Sequence, residues 1–425
     1  MRSKRVCARA AVTICAVTLF MSSAWAAHES VQRRFGSGTD GAYPDAGLIA
    51  DGSGNLYGTT YGGGSRGAGT VFELSPAEGG GWTEKVLHNF GSGNDGAYPE
   101  AALIFDANGN LYGTTDSGGI HVYYGTVFEL SPREGGGWTE RVLHSFGSGL
   151  DGRYPSGVVL DANGNLYGTT ALGGSHYDCT GGCGTVFEIL PRGDGSWTEK
   201  LLHSFGTDSE GQYPDSALIF DAAGNLYGTT DGGGIHDDGT LFELSPREDG
   251  SWTNKVLHSF NNNGRDGWSP GGGLIFDAAG NLYGTTYYGG IHAASGGYGT
   301  VFELLLRQDG SWTEKILHSF NFNGVDGAYP DAALVFDAQG NLYGTTAGGG
   351  SHACPDTGNN CGTVFEMSPR GDGTFTERVL HNFNNDGHDG IVPQAGLTFD
   401  AAGNLYGTTY QGGTHGEGTV FEVMP

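Results

Sequence analysis

Seven copies of one heptapeptide, "GNLYGTT", begin at positions 54, 109, 164, 224, 280, 340 and 403. A catalytic site is normally built once, so seven unchanged copies point to architecture. The spacings are 55, 55, 60, 56, 60 and 63 residues, and self-similarity at such a period marks a solenoid or a propeller. Each unit contains four strand-like runs, in the second copy "AALIF", "NLYGTT", "GTVFEL" and "WTERVLHSF". They are rich in β-branched and aromatic residues and are separated by Gly, Asp, Asn, Ser or Pro clusters. Four antiparallel strands repeated seven times predict an all-β, seven-bladed β-propeller. A parallel β-helix has a much shorter period. Gly supplies 81 of 425 residues, a level that in other contexts signals disorder. Here 12% aromatic residues and recurring apolar runs favour a packed, turn-rich core.

The Asp before each heptapeptide (Asp51, Asp106, Asp161, Asp221, Asp277, Asp337, Asp400) is expected to bond the backbone two residues on, with Gly supplying positive φ. The last unit stops after "GTVFEV" without a fourth strand, while "ESVQRRFGSGTDGAYP" from Glu29 aligns with "EKVLHNFGSGNDGAYP" from Glu84. Residues 29–35 are therefore expected to supply the outer strand of the last blade and close the ring, which removes exposed edges. Strand three always carries Glu, and strand four carries His in six blades. The expectation is that they pair, as Glu73 with His88, and that Arg33 replaces His to pair with Glu422, because buried polar groups need partners.

Residues 1–26 read as a signal peptide, with basic "MRSKR", an apolar run and an A-x-A site at Ala24-Trp25-Ala26. The remaining chain, 27–425, is then one propeller with no membrane span, secreted or periplasmic and expected to be a monomer. Cleavage removes Arg2, Lys4, Arg5 and Arg9, so the formal charge becomes −27 − 4 = −31. Such a chain repels nucleic acid and anionic membranes; a glycan or a protein is the expected extracellular partner. In an exported chain the local pairs Cys179/Cys183 and Cys354/Cys361 read as disulfides.

The pattern "GNLYGTT…GG…GTVFEL…W…VLHSF…DG…P" resembles the Gloeo/Verruco (GloVer, choice-of-anchor) tandem repeat of exported bacterial proteins. The resemblance covers essentially all of the chain after the signal. It implies export and repeat architecture and names no activity and no site.

Antiparallel strands place the two-to-three loops and the blade-to-blade loops on one face, where the copies diverge, and binding residues concentrate on such loops. Candidate ligand contacts are the "AYP" aromatics Tyr43, Tyr98, Tyr154, Tyr213 and Tyr329, with Trp268 in the fifth copy, together with Arg66 and Arg153, which break the repeat. Aromatic faces beside acidic acceptors suit sugars. Three expanded loops offer oxygen ligands at calcium-like spacing: Asn261, Asn263 and Asp266; Asn321, Asn323 and Asp326; Asn384, Asp386 and Asp389. No cofactor is required, and calcium is the candidate ion. Histidines at "GG-x-H" lie on separate blades, and sheets pack roughly 10 Å apart, too far to share zinc. H-E-x-x-H and phosphate-loop motifs are absent from the sequence. The expected function is a non-catalytic binding module; the alternative is a lyase or hydrolase with one asymmetric site on the long-loop face.

Overall fold

The computed structural model describes residues 27–425 except 37, 148, 177–178, 207–208, 293–295, 355–357 and 359; the signal-peptide reading of 1–26 lies outside the described residues. The described residues contain no helix. Seven four-stranded antiparallel sheets form a ring of blades. The second blade is typical: Ile104–Phe105, Leu111–Thr115, Thr126–Pro132 and Trp138–Ser145, paired in that order from inside to outside. In the seventh, the N-terminal strand His28–Arg34 pairs antiparallel with Thr419–Met424. The ring is closed as the alignment predicts.

Each letter of the heptapeptide has a local job. Asp106 Oδ1 accepts the Asn108 and Asn110 amides at 2.8 and 2.9 Å, and its Oδ2 accepts Asn110 Nδ2 at 2.8 Å. These bonds hold its carboxyl below the ordinary range against a partial burial that pushes the other way. Gly109 follows at φ 82°. The strand Leu111–Thr115 is buried throughout. A Cβ on Gly113 would stand 2.7 Å from Phe128 Cζ and 2.9 Å from Leu103 Cδ2, so only Gly lets the Phe ring cross the sheet face. Thr115 Oγ1 bonds Thr126 Oγ1 across the blade at 2.8 Å. Thr114 Oγ1 reaches the next blade and donates to the Ser156 carbonyl at 2.8 Å; Thr408 does the same to Ala46 at 3.0 Å across the closure.

The core lies between blades. Phe90, directly after the outer strand of the first blade, meets Phe128 of the second, with centroids 5.1 Å apart. Equivalent pairs recur around the ring, ending with Phe383–Phe421 at 5.0 Å and Phe35–Phe72 at 5.2 Å. Fully burying one such ring is worth about 1.5–3 kcal/mol, so each junction carries a comparable apolar load.

The Glu–His pairing is corrected by the register. Glu73 lies opposite Lys85, and His88 opposite Val71 beyond a bulge between Val71 and Phe72, so the two do not face each other. Glu73 Oε2 faces Lys85 Nζ at 3.8 Å. His88 Nε2 instead meets Asp95 of the blade-to-blade loop at 3.0 Å. Arg33 does take the His place, opposite Val420, but it pairs with Asp40 and with Glu84 of the neighbouring blade. Glu422 accepts from Gln32 at 2.7 Å and from Tyr406 at 2.8 Å.

Candidate functional site

The chain enters each inner strand through a sharp corner. The "AYP" residue takes a left-handed φ in every copy: Tyr43, Tyr98, Tyr154, Tyr213, Ser269, Tyr329 and Val392 lie between 57° and 61°. This conformation is costly away from Gly, and two backbone bonds hold it. The Tyr98 amide donates to Ala68 of the preceding blade at 2.9 Å, and its carbonyl accepts from Asp116 of its own blade at 2.9 Å. The corner is therefore a brace between blades. It also turns the next residues toward the ring axis.

At the axis these residues converge on one side of a central cavity of about 750 Å³. Asp45, Glu100, Ser156, Asp215, Gly271, Asp331 and Gln394, each directly after the Pro of its copy, line its mouth, and Asp116 joins them. Small residues such as Ala101, Gly157, Ala217 and Ala333 line the wall below. Glu100 and Asp215 are open to water, whereas Asp45 and Asp331 are half-buried. Crowding by protein, and then repulsion among the carboxylates, pushes Asp45 and Asp215 up to about 6, Asp331 to about 7 and Glu100 to about 8.

Tyrosines edge this acid mouth. Tyr61 stacks on Tyr98 with centroids 5.0 Å apart and Tyr287 on Tyr329 at 5.2 Å, while Tyr43 meets Tyr410 tilted at 5.2 Å. Glu100 is close enough to raise the Tyr61 hydroxyl, after burial, and Asp45 does the same to Tyr410. Five of the candidate aromatics thus find distinct places. Tyr98 and Tyr329 sit in stacked pairs and Tyr43 in a tilted one, Tyr154 lines the cavity, and Tyr213 packs into a core cluster. Trp268 lies one residue before its copy's corner, stacks on Tyr288 at 4.3 Å and donates Nε1 to Gly296 at 3.1 Å.

The other candidates are not brought to the mouth. Arg66 is exposed on its two-to-three loop. Arg153 donates to the Gly181 carbonyl and lies over the Tyr124 ring at 5.5 Å, which pins the disulfide loop. Both disulfides are formed, Cys179–Cys183 at 2.04 Å and Cys354–Cys361 at 1.99 Å. In the calcium-like loops the oxygens accept N–H groups of their own turns. Asn263 Oδ1 takes the Arg265 and Asp266 amides, while Asp266 takes those of Asn261 and Gly267. Asn323 and Asp326 repeat this, Asp326 accepting from Asn321. Asp386 takes the His388 and Asp389 amides, and Asp389 takes those of Asn384 and Gly390.

Comparison with known proteins agrees with the architecture. The Gloeobacter/Verrucomicrobia repeat matches residues 17–193 and 177–421. The chain belongs to that family. No curated protein matches the sequence. Among solved structures, an ancestral GH74 enzyme superposes with a TM-score of 0.55 at 11% identity, covering 91% of this chain and 48% of that one. The extracellular domain of a one-component system from B. thetaiotaomicron gives 0.52 at 13% identity, covering 91% and 40%. This family member thus spans about half the length of those chains or less, and at such identity the likeness concerns the fold alone. Two disulfides are consistent with an extracellular or periplasmic place. Among the described residues no helix is long and apolar enough to cross a membrane.

Proposed function

We propose that this repeat protein is a binding module for a neutral extracellular glycan, held at the acid mouth of the central channel. The observation that supports this reading is a cavity lined by carboxylates with tyrosine pairs beside it, Glu100 acting on Tyr61 and Asp45 on Tyr410. A pyranose presents an apolar C–H face, which an aromatic ring accommodates, and hydroxyls, which carboxylates accept. Because these carboxyls titrate between about 6 and 8, some remain protonated near neutrality and can also donate. The same ring of acids disfavours uronate-bearing glycans.

A second reading, a glycoside hydrolase, is favoured by one observation. Glu100 is held protonated to higher pH than its neighbours, and a general acid beside ionised carboxylates is the arrangement such hydrolysis uses. One experiment separates the two. The secreted-length chain is incubated with immobilised neutral and acidic polysaccharides, and both retention and new reducing ends are measured. Retention on neutral glycans without reducing ends supports binding; reducing ends that vanish in Glu100→Gln support the hydrolase. Retention on acidic glycans alone rejects both.

A further inference from the structure

Away from the mouth, every junction between outer strands carries a second polar cluster. At five junctions its members are the His of one blade, the Asp of the loop that follows it, and the strand-four Glu of the next blade. At one junction His258 Nε2 lies 3.2 Å from Asp266 and 3.8 Å from Glu314. There, and at Glu29, His381 and Asp389, one ligand atom from each side chain falls within 4.8 Å of the others. We propose that five of the seven blade junctions are closed by a proton shared among a glutamate, an aspartate and a histidine, so that the ring loosens in alkaline medium.

The hydrogen-bond inventory calls for that proton. Oε1 of Glu29, Glu140, Glu314 and Glu377 is buried without a partner. What Glu314 faces is another acceptor, Asp266, whose Oδ2 already takes the Asn261 amide and His258. An ionised carboxyl is acceptor-only, whereas a protonated one donates. A proton on Glu314 therefore satisfies the orphaned oxygen and removes a like-charge contact.

The repeat supplies its own controls. At the ring-closing junction Arg33 stands in place of His between Asp40 and Glu84. A guanidinium stays charged at all relevant pH and ligates no metal, so what this position requires is positive charge between carboxylates. At the junction of His203 with Glu210, the incoming residue is Asn254, an uncharged amide. Glu84 is raised by burial too and its Oε1 also lacks a hydrogen-bond partner, but the fixed Arg33 charge opposes that rise; at the Asn254 junction there is no strand-four glutamate to titrate.

The groups facing each glutamate set the direction. Burial, and then the facing Asp, raises Glu140 (Asp95, with His88 opposing) and Glu377 (Asp326, with His318 opposing) to about 7. Glu29 reaches about 7 through burial, Asp389 and Asp386, opposed by His381 and Arg34. Glu199, facing Asp151 and His144, is also raised, and Glu314, against Asp266, is raised furthest. A carboxyl that holds its proton more tightly folded than unfolded stabilises the fold fully below its ordinary pKa, near 4.5. That contribution is lost as pH rises through the folded value.

The test is thermal unfolding of the full chain in chelator from pH 5 to pH 9. The wild type is expected to lose several degrees of Tm between pH 6 and pH 9. The Glu140→Gln, Glu314→Gln, Glu377→Gln variant should lose much less, and Arg33→His should steepen the fall. A flat wild-type curve, or an unchanged slope in the triple variant, overturns the proposal. If the triple variant does not fold, infrared difference spectra of the wild type decide: a protonated-carboxyl C=O band present at pH 6 and lost at pH 9 is expected, and its absence overturns the shared proton. Zinc that restores Tm at pH 8 in the wild type only would overturn it in favour of a metal.

Discussion

At Gly113 a single methyl would meet Phe128 and Leu103 inside van der Waals contact. Gly113→Ala should therefore destabilise the chain by about 1–3 kcal/mol, as overpacking does, read as a lowered denaturant midpoint at constant slope. The Asp106 carboxylate accepts four bonds from its own turn. Asp106→Ala should cost on the order of 1 kcal/mol at pH 7. The cost should shrink as pH falls through the carboxyl's lowered value, because the protonated side chain no longer accepts as strongly. The Asp–Gly turn was legible in the sequence because its chemistry is local. The left-handed corner at Tyr98 was not: a residue before Pro ordinarily stays extended, and here two backbone bonds, one of them from another blade, override that preference.

Strands one to four were legible from alternation and turn signals, and the closing strand from the alignment of Glu29 with Glu84. What sequence spacing could not reveal was the bulge between Val71 and Phe72 and its equivalents. The register sets Glu73 opposite Lys85 and His88 opposite Val71, where His88 meets Asp95, so the expected pairs do not form. Two outcomes follow at this scale. Removing residues 27–35 exposes the edge of Thr419–Met424 and uncovers Phe72, which Phe35 otherwise covers. Size-exclusion chromatography should then show dimers or aggregates. Cys179→Ser with Cys183→Ser opens a loop of only 4 residues' separation. The loss should be about 2 kcal/mol, with faster amide exchange at Tyr213, whose amide bonds the Cys183 carbonyl at 2.9 Å.

Only the closed ring creates the mouth. Asp45, Glu100, Asp215 and Asp331 follow the same Pro in their copies but lie a blade or more apart in the chain. Nothing local marks them as neighbours; the "YP-D/E" recurrence was a signal that becomes meaningful once seven blades bring it to one axis. Because their carboxyls titrate between about 6 and 8, the mouth gains negative charge over that range, and any residual uronate binding should weaken from pH 5 to pH 8. The measurement that bears most directly on the proposed function is calorimetric titration of the full chain with the best-retained neutral glycan, alongside a Tyr61→Ala, Tyr410→Ala variant. The proposal predicts saturable binding, weakened at least tenfold, ~1.4 kcal/mol, in the variant at unchanged Tm. Equal affinity in both proteins would contradict it.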